Sequence, residues 1–363
     1  MSNEYRAQAD ALDARIRTAI AAYALDDDAF DALACAVFAH QFRWNAPYAA
    51  YARSLGITAH SLPRTIAAIP AVPAAAFKDA ALCTVAPERA ALWFETSGTT
   101  QARSGRHYLE TPALYEAALL AGFDRAMLAD GAQLRYFMLV PDPRERPHSS
   151  LGYMMATVAR ERGDGRDGWY LRDDALDVAG LCSDVERAHA GNAAMCIATT
   201  AFALLALLDE LEASGRKLPL PAGSRVMETG GFKGRTRVVG RDELYARAAA
   251  AFAIDESAIV AEYGMTELSS QYYDSPGSRW SSRRIKQPVP WLRPLVVDVM
   301  GKPLPDGIVG AIRHIDCANR SSVVAIDTED LGAVTPEGLL LLGREEGAAL
   351  RGCSLDAEDL LRR

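Results

Sequence analysis

From residue 7 to about 55, apolar residues recur every three to four positions, with Leu12, Ile16, Ile20 and Tyr23 on one stripe. That spacing predicts helix. Pro63, Pro70 and Pro73 then mark an irregular connection. Between 91 and 265, short apolar runs alternate with helical stretches. ALWFE, RYFMLV, RVMET and AIVAEY read as buried strands, and AFALLALLDELEA (201–213) as a largely buried helix. Such alternation predicts an α/β sheet with helices packed on it. After Pro288 the texture changes: PLVVDVM, GAIRHID, SVVAID and GLLLLG are strand-like runs separated by Gly, Pro and Asp turns, so a β-rich subdomain is expected. The final stretch, REEGAALRGCSLDAEDLLRR, is polar, with a short helix expected to start near Ser354 or Asp356. The expected division is a core over 1–345 (helical 1–90, α/β 91–287, β-rich 288–345) and a short tail, 346–363.

Length and composition fit this picture: 363 residues, half of them apolar and 24% charged, suffice for a real core. A net charge of −8 argues against a nucleic-acid surface, which needs clustered Lys and Arg. The start, MSNEYRAQAD, lacks the basic and apolar regions of a signal peptide, and no run approaches the length of a membrane span. The six cysteines (35, 83, 182, 196, 317, 353) are far apart, without a CxxC pair. This usage is that of free thiols in a reducing cytoplasm, and the scattered histidines offer no dedicated metal cluster.

Two turns carry the chemistry. Leu92-Trp93-Phe94 runs into ETSGTTQARS, where Thr96, Ser97, Thr99 and Thr100 surround Gly98. A strand feeding such a turn offers backbone N–H groups and hydroxyls to an anion, most often phosphate. Arg103 and Arg106 are placed to add charge. The plain alternative is a solvent-facing turn, and no GK[ST] follows, so this is not a Walker loop. In AEYGMTELSS (261–270) a strand is expected to end at Glu262, and Tyr263-Gly264 to turn the chain so that Thr266 and Glu267 project from the sheet's C-terminal edge. Ligands on open α/β sheets gather there. A carboxylate beside hydroxyls suits Mg²⁺ held against phosphate oxygens, and the Tyr263 ring suits stacking on a base. The alternative is a strand-to-helix turn with Glu267 near the helix N-terminus. IDTEDLG (326–332) sets Asp327, Glu329 and Asp330 on a turn, where a carboxylate can hold ribose hydroxyls, and LLGRE (341–345) sets Arg344 at the end of the last strand.

In this order the four segments resemble the signature series of the adenylate-forming superfamily. FETSGTT with Ser104 and His107 downstream, PHSSLGYM (147–154), METGGFKGR (227–235) and RGCSLDAEDL (351–360) are similar to the LuxE-type acyl-protein synthetases of the bacterial luminescence fatty acid reductase. The resemblance covers nearly the whole chain, including FKD (77–79) and PVPWLRP (288–294). It implies an α/β fold like the N-terminal domain of adenylate-forming enzymes, with a β-rich subdomain and without their usual large C-terminal domain. It also implies ATP-dependent activation of a carboxylic acid, fatty or aromatic, as acyl-AMP. The acyl group would pass to a cysteine near the C-terminus and on to an acyl-accepting protein such as a reductase.

Carried onto matching positions, the resemblance places Thr96, Ser97, Gly98, Thr99 and Thr100 on the phosphates of ATP, Glu267 on Mg²⁺ and Thr266 on the α-phosphate. Tyr263 and the Gly230-Gly231 backbone face the adenine, Asp330 the ribose, and Arg344 the ribose or phosphate, with Gly264 also among the cofactor-binding residues. Lys233 is a phosphate or carboxylate partner. His107 and His148 either contact substrate or are structurally hydrogen-bonded. Cys353 follows Arg351-Gly352 in a polar tail at an expected helix N-terminus, and both surroundings lower a thiol's pKa, so it is the expected acyl acceptor. The glycine and lysine that usually follow the SGTT core are replaced here by Gln101 and Arg103. The candidates for the lysine of the absent domain are Lys233, Arg235 and Lys302. Two other readings are a ligase of the phenylacetate–CoA type and a non-catalytic nucleotide- or acyl-binding subunit of a reductase complex.

Overall fold

A computed structural model describes residues 2–96, 104–173, 175–230, 240–274 and 284–344. The chain opens with α1 (Asn3–Ala22), α2 (Asp27–Trp44) and α3 (Ala46–Ser54), then β1 (Val72–Pro73), a 3-10 turn (Ala74–Lys78), β2 (Leu92–Glu95) and β3 (Arg106–Leu109). There follow α4 (Ala113–Met127), β4 (Arg135–Leu139), α5 (Ser150–Arg162), β5 (Gly168–Trp169), β6 (Leu171–Arg172) and β7 (Ala175–Leu176). Next come α6 (Val178–Ala190), β8 (Met195–Thr200), α7 (Ala201–Ala213), β9 (Arg225–Thr229), α8 (Arg241–Phe252), β10 (Ile259–Tyr263) and β11 (Tyr272–Asp274). The last strands are β12 (Ile285–Gln287), β13 (Leu292–Val297), β14 (Gly310–Asp316), β15 (Ala325–Thr335) and β16 (Gly338–Arg344).

Two compact units divide these elements, one from residues 1–121, 265–272 and 280–363, the other from 122–264 and 273–279. The first unit holds the N-terminal helices and an antiparallel sheet in the order β13-β14-β15-β16-β12, with β1 running parallel to the start of β15. Each helix start is capped by a short polar side chain: Ser2 accepts from Tyr5 N–H, Asp26 from Ala29 N–H and Asn45 from Tyr48 N–H. The helical stripe read from sequence faces inward, with Leu12, Ile16 and Ile20 all buried, and Tyr23 closes α1 in the left-handed region.

The second unit is a parallel sheet in the order β5-β4-β8-β9-β10. Its strands are buried on both faces and read as continuous apolar runs, as parallel strands do. The core joins Phe137, Leu139, Ile197 and Val226 of the strands to Leu204, Leu207, Leu208 and Leu211 of α7. The run AFALLALLDELEA is thus the buried helix its composition predicts. Phe137, Met138 and Met154 are likewise buried. One strand differs in its setting: Leu92–Glu95, expected among the strands of the α/β sheet, pairs with β3 in a separate antiparallel hairpin of the first unit. Among the described residues, no helix is long and apolar enough to cross a membrane.

Candidate functional site

The β2–β3 hairpin fixes the two ends of the hydroxyl segment, Thr96 and Gly105. Glu95 faces Arg106 in register, and beyond them Thr96 N–H donates to Gly105 O at 2.9 Å while Gly105 N–H donates to Thr96 Oγ1 at 2.9 Å. Ser97, Gly98, Thr99 and Thr100 lie outside the described residues. Gly105 is required by contact: a Cβ there would sit 3.0 Å from the Phe77 carbonyl carbon and 3.2 Å from Lys78 N. The Ala74–Lys78 turn therefore presses directly on the base of the loop. Arg106, expected to add charge to the loop, lies instead over the Trp93 ring at 4.5 Å and 3.8 Å from Glu95.

Two residues past Gly105, on β3, His107 is fully buried. Its Nδ1 lies 2.8 Å from the main-chain oxygen of Thr266, and its Nε2 lies 2.8 Å from Asn319 Oδ1. The Phe77 ring meets the imidazole edge-on at 5.9 Å. Asn319 is oriented by its own partners, since Nδ2 donates to Glu267 O at 2.9 Å and to Val323 O at 2.8 Å. Its Oδ1 therefore faces the imidazole and also accepts from Ser269 Oγ at 3.0 Å. Both ring nitrogens thus look at acceptors, an arrangement that a doubly protonated ring would satisfy in full. Burial opposes that charge and lowers the pKa of His107 to about 4. With both nitrogens engaged inside the protein, His107 acts as a strut between the loop's return strand and the Thr266–Glu267 turn.

A second clamp holds the same turn. Buried Asp316 accepts from Ser269 N–H at 2.9 Å, Ser270 Oγ at 2.9 Å and Ala318 N–H at 3.0 Å. Burial pushes its pKa up to about 6, against the lowering effect of those donors. Trp291 Nε1 adds a bond to Ser270 Oγ at 3.0 Å. Glu267 is buried to 8% exposure and Thr266 is half-buried. The alternative of a strand-to-helix turn is not what the chain does: no helix follows Glu267, and the chain runs through the pinned serines into β11. Sequence reasoning missed Asp316 and Asn319. Their signal was the polar run DCANRSS set between two strand-like runs, since so polar a segment between core strands must be solvated or internally bonded.

On β15, Asp327 is taken by Arg313, which donates to its two carboxylate oxygens at 2.6 and 3.0 Å. Thr328 Oγ1 donates to Ile312 O at 2.8 Å and accepts from Asp330 N–H at 3.2 Å. Asp330 lies opposite Arg344 in the β15–β16 register. The first unit therefore gathers Thr96, His107, Thr266, Glu267, Asp330 and the Arg344 backbone.

The second unit holds the other predicted residues. Tyr263 is the last residue of β10, one position later than the expected strand end, and Gly264 follows it. Gly230 follows β9 with φ +83°, a conformation that favours glycine. Between these two strand ends Thr229 Oγ1 donates to Glu262, and from α8 Tyr245 Oη donates to Glu228 at 2.7 Å. His148 precedes α5, whose N-cap is Ser149. Gly231, Lys233 and Cys353 lie outside the described residues.

Comparison with known proteins bears on this arrangement. The amide bond synthetase McbA from Marinactinospora thermotolerans superposes with a TM-score of 0.50 at 19% identity, over 71% of this chain and 49% of that one. An ATP-bound RpMatB-BxBclM chimera gives 0.51 at 17% identity, over 72% and 49%. The McyG A-PCP structure complexed with phenylalanyl-adenylate gives 0.50 at 18%, over 72% and 42%. The chain thus spans half or less of the length of these structures, and the likeness establishes the fold, that of adenylate-forming enzymes. Among curated proteins none matches in sequence. The profile of the family described as acyl-protein synthetase, LuxE, matches residues 17–361. With nearly the whole sequence matched, this chain belongs to the LuxE acyl-protein synthetase family.

Proposed function

We propose that this protein activates a carboxylic acid as its acyl-adenylate at the expense of ATP and then holds the acyl group as a thioester on Cys353 for delivery to a partner protein. The observation that carries the reading is the strut from His107 to Thr266. It joins the hydroxyl loop's hairpin and the Thr266–Glu267 turn in one hydrogen-bonded frame. In this reading a carboxylate oxygen of the acid attacks the α-phosphorus, and the bond to the departing pyrophosphate breaks. The Cys353 thiolate then attacks the acyl carbon, and AMP leaves. Positioning and charge neutralisation dominate the first step.

Each residue has a task in that scheme. Thr96, Ser97, Gly98, Thr99 and Thr100 hold phosphate oxygens, Thr266 the α-phosphate, and Asp330 with Arg344 the ribose side. Gly230, Gly231, Tyr263 and Gly264 serve the adenine, Lys233 and His148 the acid. His107 is a positioning residue. Mg²⁺ suits the Glu267 carboxylate with neighbouring hydroxyls, a donor set that leaves most of its positions to phosphate oxygens and water. When bound it neutralises phosphate charge.

The thiols support Cys353 as acceptor. Burial raises Cys35 and Cys83 to about 11, Cys196 to about 12, and Cys182 and Cys317 above the usual thiol range. These five are protonated at neutral pH and are poor nucleophiles. ATP–pyrophosphate exchange across a panel of fatty and aromatic acids tests activation; no exchange with any acid would remove the reading. Intact mass after incubation with ATP and the best acid tests the thioester, with an adduct that maps to Cys353 and disappears in Cys353→Ser. An unchanged adduct in that variant, or release to coenzyme A without one, would remove the second step.

A further inference from the structure

We infer that Asp316 is a positioning residue for acid activation, holding the Thr266–Glu267 turn through Ser269 and Ser270, an inference that rests on the reading of this protein as an acyl-adenylate former. Asp316 is the last residue of β14 and is fully buried. Its own N–H donates to Val324 O at 2.8 Å, so the carboxylate is carried on a paired strand end. Oδ2 accepts from Ser269 N–H at 2.9 Å, while Oδ1 accepts from Ser270 Oγ at 2.9 Å and from Ala318 N–H at 3.0 Å. Two consecutive residues just past Glu267 are thus tied to one planar group. A buried carboxylate is costly to desolvate, and a neutral side chain could fill the same space. What the charge adds is strength and direction on two residues of the turn at once.

The same short segment grips the turn a second time. Asn319 N–H donates to Asp316 O at 3.1 Å, closing a turn that presents both side chains to residues 267–270. Asn319 Nδ2 donates to Glu267 O, and its Oδ1 accepts from Ser269 Oγ. Glu267, Ser269 and Ser270 are all buried, so water is not at hand to replace a lost tie. The hydroxyl direction is fixed as well: Trp291 Nε1 donates to Ser270 Oγ at 3.0 Å, which leaves the Ser270 proton for Asp316. An amide in place of the carboxylate therefore fails in either orientation. Its NH₂ group would face the N–H of Ser269 or that of Ala318, and neither can accept. The serines would lose their fixed course, and with them Thr266 and Glu267 their aim. A displacement of about 1 Å at a reacting centre costs roughly 100-fold in rate.

The test pairs ATP–pyrophosphate exchange with amide deuteration read by mass spectrometry, both on the full chain. Asp316→Asn is expected to lower kcat about 100-fold while the KM for ATP stays within about threefold. Without nucleotide, peptides covering 265–272 should take up deuterium about tenfold faster, and those of α7 as in the parent. Leu208→Ala, which opens a cavity in the core of the second unit, is expected to lower the melting temperature and to leave kcat per folded molecule within about twofold. The inference is overturned if Asp316→Asn keeps the parent's kcat, or if the KM for ATP rises as steeply as kcat falls. It is equally overturned if residues 265–272 stay protected, or if Leu208→Ala loses as much kcat. Should Asp316→Asn not fold, Ser270→Ala takes its place, with kcat expected to fall about tenfold at an unchanged KM. A parent protein without pyrophosphate exchange on any acid would sink the acyl-adenylate reading and this inference together, whereas the failures above leave that reading standing.

Discussion

The imidazole of His107 lies 2.8 Å from the main-chain oxygen of Thr266, although 159 positions separate them along the chain. Removing that ring while keeping its bulk isolates the strut. His107→Phe keeps the contact with Phe77 but leaves the Thr266 oxygen without this donor. The expected cost is about 2 kcal/mol of stability, read by urea unfolding. In exchange kinetics, kcat should fall more than the KM for ATP rises, with partial rescue by His107→Gln. Equal kcat in the parent and the Phe variant would show that the strut does not position the turn.

Asn319→Asp is nearly isosteric but removes the amide donor. A carboxylate oxygen would then face Glu267 O and Val323 O at the positions where Nδ2 now donates. The expected loss is about 3 kcal/mol, larger than for a variant that merely deletes the bonds, because like partial charges are forced together without water. A thermal melt that ranks Asn319→Asp below Asn319→Ala checks the sign.

Stability should fall on acidification, from near pH 6.5 towards pH 4. His40, His107 and His314 are all buried, and burial lowers each to about 4. Their folded pKa values are depressed, so the unfolded chain binds more protons below about 6.5 and gains as pH drops. Asp316, pushed up to about 6, works the other way, because the folded state then binds the extra proton. The three depressed imidazoles outweigh Asp316 and Asp167, whose carboxyl burial also raises, and give net acid destabilisation. Equilibrium unfolding at intervals between pH 7 and pH 4 reads the slope, and a flat profile would contradict the burial of these rings.

Gly105→Ala tests the close approach under the loop. The added Cβ would meet the backbone atoms of Phe77 and Lys78 at 3.0 and 3.2 Å, and backbone yields less readily than a side-chain tip. The expected cost is about 1–3 kcal/mol, accompanied by weaker ATP binding, since Gly105 closes the hydroxyl loop with Thr96. Calorimetry beside a melting curve separates the two effects.

Native-state alkylation should be slow at Cys83, Cys196 and Cys317, whose thiols are buried and held protonated. With iodoacetamide at neutral pH, peptide mapping is expected to find Cys353 modified first. Early labelling of Cys196, inside the parallel sheet, would contradict the packing described for β8.

Much of the fold was legible because the apolar runs have the periods of the elements they form. GAIRHID is β14 residue for residue, and RVMET is β9. The setting of Leu92–Glu95 was not legible, since a four-residue apolar strand reads the same whether it joins a parallel sheet or folds back on its neighbour. The motif turns were legible as motifs through hydroxyl and carboxylate clustering. What holds them was not. A lone histidine has the same sequence signature whether it touches substrate or braces a turn, and the partners of His107 lie 159 and 212 positions away. The approach of the Ala74–Lys78 turn to Gly105 was hidden for a related reason: it arises only because that glycine is too small to keep the turn away.

Arg320 is 3% exposed and donates to Asp13 on α1, to Glu110 beyond β3, and to the hydroxyl of Tyr5 on α1. It adjoins Asn319, the clamp on the Thr266–Glu267 turn. The opening helix is therefore unsuitable for trimming when shorter expression variants are made. Deleting it would strip the guanidinium of Asp13 and Tyr5 and leave a poorly compensated charge in the interior, one residue from the amide that holds the Thr266–Glu267 turn.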